Sequence, residues 1–193
     1  MAVGDLAREV ATLVADEGVG LRPGGGFEWL SSRGHLGPTA SKAPPLVLDR
    51  LGEIHRILGG DAGLLANKRA RPLPVDFVVS GEAVLVEIDE FQHFTTPRAV
   101  TLGFYEGIEH GLDVARYREL CRTTSARADA YRRAKTAVDF PSGGGRTAQR
   151  AYFDAVRDMI APRFGYQVVR IPAVDHDPRA AADDLLAALR RIR

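Results

Sequence analysis

The sequence is poor in cysteine and has no long apolar run. Cys121 is the single cysteine among 193 residues, which excludes an internal disulfide and a zinc site built from several cysteines. No apolar stretch reaches the roughly 20 residues that are needed to cross a bilayer. The N-terminal segment is amphipathic and acidic, unlike a signal peptide. We therefore expect a cytoplasmic protein without a membrane partner.

Lysine and an excess of charge of one sign are also lacking. The net charge is +1, so no overall field favours nucleic acid or a membrane surface. Of the 26 basic residues, only three are lysines. Arginine suits phosphate recognition, because its planar guanidinium donates two hydrogen bonds at once. A GC-rich genome produces the same bias, and composition leaves both explanations open.

Apolar periodicity and glycine-rich breaks predict one α/β domain. A first helix ending near Gly18 and a long Gly, Pro and Ser-rich loop form an N-terminal extension, residues 1–45. A second helix at about 46–58 precedes a hairpin, "VDFVV" and "AVLVEID". A helical insertion is predicted at about 95–145, in which 97–105 is irregular or a short strand. A helix, a strand and a helix complete the chain.

The hairpin predicts that two acids face each other. With Gly81-Glu82 as a two-residue type II′ turn, Asp76 pairs with Glu87, and their Cβ atoms lie roughly 5 Å apart. Asp89 shares that face, because side chains alternate along a strand. Opposed like charges destabilise a sheet unless a cation lies between them. Carboxylates are ligands that Mg²⁺ prefers, so the pair is a candidate metal site; a solvated strand is the alternative.

These motifs resemble known nucleases. "PVDF" followed by "VLVEID" resembles the PD-(D/E)XK core. "EIDEFQHF" resembles the E-x-D-G-x-x-H signature of small bacterial domains similar to very-short-patch-repair endonucleases, in which R-D and G-Y-x-V-x-R follow. Here Arg157-Asp158 and "GYQVVR" stand in the same order. The match covers roughly 71–93 and 151–193. It implies a restriction-endonuclease-like core, a mixed central sheet flanked by helices, with a helical insertion.

The resemblance implies a magnesium- or manganese-dependent endonuclease that hydrolyses DNA phosphodiester bonds, in repair, restriction or defence. The catalytic residues that it implies are Asp76, Glu87, Asp89, Gln92 and His93. Asp76, Glu87 and the backbone carbonyl of Ile88 are the implied metal ligands. Asp89 is a candidate ligand for a second metal or a candidate for orienting a water; the alternative is that it is a surface acid.

Two further side chains have implied polar roles. Gln92 is expected to bind the scissile phosphate or water. His93 is expected to act as a general base or as the acid for the leaving group, because its unperturbed pKa lies near neutrality. Glu53, on the preceding helix, is a further possible ligand, and a solvated helix face is its alternative. Four arginines are candidate nucleic-acid contacts: Arg146, Arg150, Arg157 and Arg170.

The sequence departs from the family pattern in ways that leave alternatives open. Asp89 replaces the motif lysine, Glu90 replaces a glycine, and about 55 residues separate His93 from the next matched helix. Either Gln92 or His93 takes over the polar role near the attacking water, or cleavage is lost and a DNA-binding module remains. Hydrolysis of a small phosphate ester is a third hypothesis. The sequence does not decide between a monomer and a homodimer.

Overall fold

The computed structural model describes residues 4–38, 42–131, 133–142 and 144–193. Its helices are α1 (Asp5–Asp16), α2 (Pro45–Ile57), α3 (Ala62–Asn67), α4 (Thr96–Thr101), α5 (Val114–Ala130), α6 (Gly145–Ile160) and α7 (Pro178–Ile192). Its strands are β1 (Leu21–Pro23), β2 (Phe77–Val79), β3 (Val84–Glu90) and β4 (Gln167–Ala173). The chain is therefore α/β, as predicted. Within the described ranges, no helix is both long and apolar enough to cross a membrane.

The strands form one mixed sheet in the order β1-β2-β3-β4. β2 is antiparallel to both of its neighbours, β1 and β3, whereas β4 runs parallel to β3. A parallel neighbour requires a crossover, which α6 provides, since it lies between these two strands in the chain. This mixed sheet with helices on both faces agrees with the predicted α/β class.

The predicted hairpin register is confirmed, although the turn differs. Phe77 pairs with Val86, which is the register that sets Asp76 opposite Glu87. However, the Glu82 amide donates to the Val79 carbonyl, so Gly81 occupies the third position of the turn, with a φ of 79°. The predicted type II′ turn required glycine at the second position and is wrong. The register survives because the alternation of the two strands determines which residues are buried.

The two faces of the sheet carry separate apolar cores. Val84, Val86 and Ile88 of β3 pack with α1 and α7, whereas Leu85 packs in the core that contains α2 and α6. Side chains alternate along a strand, so Glu87 and Asp89 follow Leu85 onto the α6 face. The acids of β3 are thereby placed under the crossover helix.

Three short elements, β1, α3 and α4, were not predicted. β1 lies in the stretch expected to be a loop, so the N-terminal segment contributes to the sheet. α4 occupies part of the stretch expected to be irregular or a strand. Its N-terminus is capped by the Thr95 side chain, which accepts from the Arg98 amide, and Pro97 lies in the first turn, where its missing N–H costs no hydrogen bond. α4 and α5 make 95–145 largely helical, as expected of the insertion.

Candidate functional site

A cavity of about 430 Å³ lies beside the end of β3, bordered by the hairpin, α1 and α6. It brings together eight of the predicted site residues: Asp76, Glu87, Ile88, Gln92, His93, Arg146, Arg150 and Arg157. Sequence reasoning did not select five other polar lining residues: Ser32, Lys68, Glu90, Gln149 and Asp154. The cavity therefore has acids from the hairpin on one side and cations, mostly from α6, on the other.

Asp76 and Glu87 lie in different environments within this cavity. Asp76 is exposed, and its Oδ2 accepts a hydrogen bond of 2.8 Å from the Ile88 amide, which holds the carboxylate beside β3. Glu87 is only 5% exposed, and its buried Oε1 has no hydrogen-bond partner among the described residues. The Arg157 Nε lies 3.5 Å from Oε1, within ion-pair range. Burial raises the pKa of Glu87 to about 7, although Arg157 opposes the rise.

This pair fits a hard divalent cation. Across the described residues, no group of three or more His, Cys, Asp or Glu side chains gathers around one position. Mg²⁺ does not need such a group, since proteins commonly bind it through one or two carboxylates, with waters and substrate phosphate completing the shell. A cation would also contact the buried Oε1 of Glu87, which accepts no hydrogen bond from the described residues. Asp76 and Glu87 are therefore the residues that would hold Mg²⁺ or Mn²⁺.

His93 is anchored by carboxylates through one ring nitrogen. Its Nδ1 lies 3.0 Å from Asp154 Oδ2 and 3.3 Å from Asp89 Oδ1. Burial lowers the pKa of His93, but the nearby charges of Asp154 and Asp89 outweigh that effect and raise it. The side chain lines the cavity, and no hydrogen bond to its Nε2 is seen within the described ranges. The anchored ring thus leaves Nε2 for a group that enters the cavity.

A buried ionic network lies behind His93. Arg170 Nη1 contacts both carboxylate oxygens of Asp89, at 2.8 and 2.9 Å, and its Nε donates to Asp158 at 2.6 Å. Arg170 Nη2 lies 3.3 Å from Asp154 Oδ1. On α4, Arg98 donates to the second oxygen of Asp158 at 2.8 Å. The network joins β3, β4, α4 and α6 around charged groups that are almost completely buried.

The charges of this network favour a protonated His93. Asp89, Asp154 and Asp158 face the guanidinium groups of Arg98 and Arg170. Arg157 adds one cation and lies 3.5 Å from both Asp154 and Glu87, so it brings one further buried acid into the count. With Glu87 ionised, four carboxylates face three guanidinium groups, which leaves one negative charge without compensation. An imidazolium at His93, in contact with Asp154 and Asp89, makes the cluster neutral. Isolated charge is costly in a buried site, so the neutral arrangement is favoured. His93 is accordingly poised to donate a proton rather than to accept one.

Two predicted roles do not agree with the structure. Arg170 was expected to contact phosphate, but all three of its nitrogens are engaged by internal carboxylates and its side chain is 1% exposed. Asp89 was expected to bind a second metal or orient water, with a surface acid as the alternative. It is buried outside the cavity lining, and Tyr117 donates to its Oδ2 at 2.7 Å in addition to the bonds from Arg170. Both residues belong to the internal network.

Glu53 and the arginines of α5 also lie outside the cavity lining. Glu53 is half exposed on α2, and its nearest cation is Arg50 at 3.5 Å. On α5, Arg116 pairs with Asp184 and Arg122 pairs with Glu119. These ion pairs are typical of a solvated helix face. The possible metal role of Glu53 has no support from its position.

No protein-family model, curated protein or solved structure matches this chain. Its function is therefore inferred from its own residues. Asp154 is the most informative residue that sequence reasoning missed. A signal was present, because Asp154 and Asp158 lie one turn apart in α6 among residues that are otherwise mostly apolar and buried. Acids at such spacing within an apolar stretch indicate buried partners.

Proposed function

We propose that this protein is a metal-dependent endonuclease that hydrolyses DNA phosphodiester bonds. The observation that carries the proposal is the buried Oε1 of Glu87, which lies beside Asp76 and has no hydrogen-bond partner among the described residues, in a cavity that also carries Lys68, Arg146 and Arg150. Acids suited to a cation and guanidinium groups suited to phosphate form the constellation that phosphoryl chemistry needs. The mixed sheet and the α6 crossover support the PD-(D/E)XK resemblance on which the proposal also draws.

The acids and the cations have separate roles in this proposal. Asp76 and Glu87 would hold Mg²⁺ or Mn²⁺, which supplies charge neutralisation at a phosphate oxygen and lowers the pKa of water. Arg146 is exposed at the N-terminus of α6, where its side chain donates a hydrogen bond to the Gln149 amide oxygen and places a positive charge at the solvent edge of the cavity. Arg150 is held by its bond to the Gln92 carbonyl, at 2.9 Å, and offers a fixed positive charge. The cations thereby orient the diester with its phosphorus toward the acids.

His93 supplies the proton for the leaving group. Water attacks phosphorus and releases one proton to solvent, the bond between phosphorus and the leaving oxygen breaks, and that oxygen takes a proton from His93 Nε2. His93 then regains a proton from solvent. Asp154 and Asp89 hold the imidazolium in place from the opposite side of the ring. A positioned acid of this type typically contributes 10²–10⁴-fold in rate. The motif lysine is absent, and Arg170 neutralises Asp89, which occupies its position.

A second candidate function is a module that binds nucleic acid without cutting it. The observation in its favour is Arg157, whose Nε lies 3.5 Å from Glu87 Oε1 and partly compensates that charge without a metal. Supercoiled plasmid and single-stranded oligonucleotides, incubated with the protein in Mg²⁺, Mn²⁺ or EDTA, separate the two candidates. Nicking that requires metal and is lost in Glu87→Gln supports the nuclease. Metal-independent binding without cleavage supports the module.

A further inference from the structure

A second and larger cavity lies next to the candidate site. It has a volume of about 1,050 Å³ and lies between the C-terminal part of α5 and the segment that leads into α6; we call it the α5–α6 groove. Its described lining residues include Asp129, Arg133, Lys135, Val138 and Pro141. The proposed catalytic chemistry uses none of them.

The groove is continuous with the rim of the candidate site. Gly145 and Thr147 line the groove, whereas Arg146 between them lines the smaller cavity. The Arg146 amide donates to the Lys135 carbonyl at 3.1 Å, which ties the wall of the groove to the first turn of α6. A strand with one phosphate in the candidate site therefore needs only to pass over Arg146 to enter the groove.

The charges of the groove suit a polyanion. Arg133 and Lys135 are exposed, and neither side chain makes a hydrogen bond or an ion pair within the described part of the chain. Asp129 is the one acid among the described lining residues. Its carboxylate accepts from the Thr96 amide and hydroxyl, at 3.1 and 2.6 Å, and is engaged at the start of α4. The two cations are thus available to a ligand.

The remaining lining suits the nucleobases of such a ligand. Val138 is 77% exposed, and Pro141 and the alanines of α5 extend the same apolar lining. A positively charged groove follows the phosphates of an unpaired strand. The apolar lining offers the bases of that strand a surface from which they can exclude water. A small phosphate ester bound near Glu87 would reach neither the two cations nor the apolar lining, because both belong to the α5–α6 groove.

We propose that the α5–α6 groove binds the single strand that flanks the cleaved phosphodiester, a proposal that rests on the proposed function. The shared ligand chemistry is a chain of phosphodiesters, so DNA and RNA oligonucleotides are both tested. The substrate is then a polynucleotide strand rather than a small ester. The insertion that carries α5 thereby contributes an extended binding surface to the site.

The test compares the double variant Arg133→Gln/Lys135→Gln with the wild type. Binding of 12-nucleotide DNA and RNA strands is measured in EDTA across a salt series, and cleavage of a dinucleotide is measured in Mn²⁺. Loss of two phosphate contacts lowers the slope of log affinity against log salt by about 1.4 and weakens binding about tenfold at low salt. Dinucleotide cleavage stays unchanged, since that substrate does not reach the groove.

The matched control is Arg116→Gln/Arg122→Gln, which removes two exposed cations from α5 that pair with Asp184 and Glu119. This control variant should retain the wild-type slope of log affinity against log salt. Equal slopes in the groove variant and the wild type overturn this inference alone, if the wild type still cleaves. Competition by an acidic peptide but not by a strand also overturns it. Absence of both cleavage and strand binding in the wild type overturns the proposed function together with this inference.

Discussion

His93 Nδ1 lies 3.0 Å from Asp154 Oδ2, so a buried carboxylate of α6 fixes an imidazole that follows β3. This relationship joins the two halves of the site across 61 residues of sequence. It also determines which nitrogen remains for chemistry, because a ring anchored through Nδ1 presents only Nε2. Asp154 is therefore a positioning residue, and its charge favours the protonated ring.

The first prediction concerns Asp154→Asn. The substitution removes a negative charge that raises the pKa of His93, so the imidazole loses its proton at lower pH. With His93 as the acid for the leaving group, as we propose, the alkaline decline of the cleavage rate moves to lower pH. Rates measured from pH 5 to pH 9 in Mn²⁺ test this. An alkaline limb in the same place as in the wild type contradicts the acid role.

The second prediction concerns Arg170→Met. Removing this guanidinium leaves Asp89, Asp154 and Asp158 with one fewer buried cation, so the free energy of unfolding falls by about 3–5 kcal/mol. Urea unfolding at pH 7 measures the change. The control is Arg116→Met, whose exposed pair with Asp184 is worth about 0–1 kcal/mol. A similarly small decrease in the free energy of unfolding in both variants contradicts the structural role of Arg170.

The third prediction concerns the pH dependence of stability. Burial, with a smaller contribution from His55, lowers the pKa of His35 to about 4 in the folded protein. The unfolded chain takes up this proton first, near pH 6.5. The stability that depends on neutral His35 is therefore complete above pH 6.5 and is lost as pH falls from about 6.5 to about 4. Glu87 has a raised pKa and opposes this trend between about 4.5 and 7.

The variant His35→Asn isolates the histidine contribution. Free energies of unfolding are measured at pH 7 and pH 5 for both proteins. The variant loses the contact between His35 Nδ1 and the Tyr152 hydroxyl at every pH, so its overall stability is lower. Between pH 7 and pH 5, the free energy of unfolding of the variant should nevertheless fall less than that of the wild type. Equal losses in the two proteins contradict the lowered pKa of His35.

The fourth prediction concerns metal binding and protons. The pKa of Glu87 is raised to about 7, so a proton must leave before a cation binds at lower pH. Affinity for Mn²⁺ should fall about tenfold for each pH unit below 7. Calorimetry in two buffers of different ionisation enthalpy at pH 6 should detect about one released proton per metal. Binding that does not vary between pH 5 and pH 7 excludes Glu87 as a ligand.

The hairpin could be predicted because its two strands are specified by local sequence. Their apolar residues set the register that places Asp76 opposite Glu87. β1 has only three residues and lies among glycines and prolines, and it becomes a strand because β2 offers a free edge. Local propensity could not reveal a strand whose hydrogen bonds come from a partner more than 50 residues away.

The interior of the site could not be predicted to the same extent. Arg170 looked like a phosphate contact because an arginine in a strand gives no sign of its partners. Its partners lie on β3 and α6, and only tertiary packing brings Asp89, Asp154 and Asp158 to it. The cavity residues near the hairpin were predictable, since they follow one another along β3 or face it. The network behind them depends on contacts between distant parts of the chain.

We propose that Asp76 and Glu87 hold the metal that phosphodiester hydrolysis requires. The most direct measurement is Mn²⁺ binding and oligonucleotide cleavage on the same preparations of wild type, Glu87→Gln and Glu53→Gln. We expect Glu87→Gln to fold, to bind Mn²⁺ at least 100-fold more weakly and to lose cleavage, while Glu53→Gln matches the wild type, since Glu53 lies outside the cavity lining. Undiminished metal binding or cleavage in folded Glu87→Gln would contradict the account.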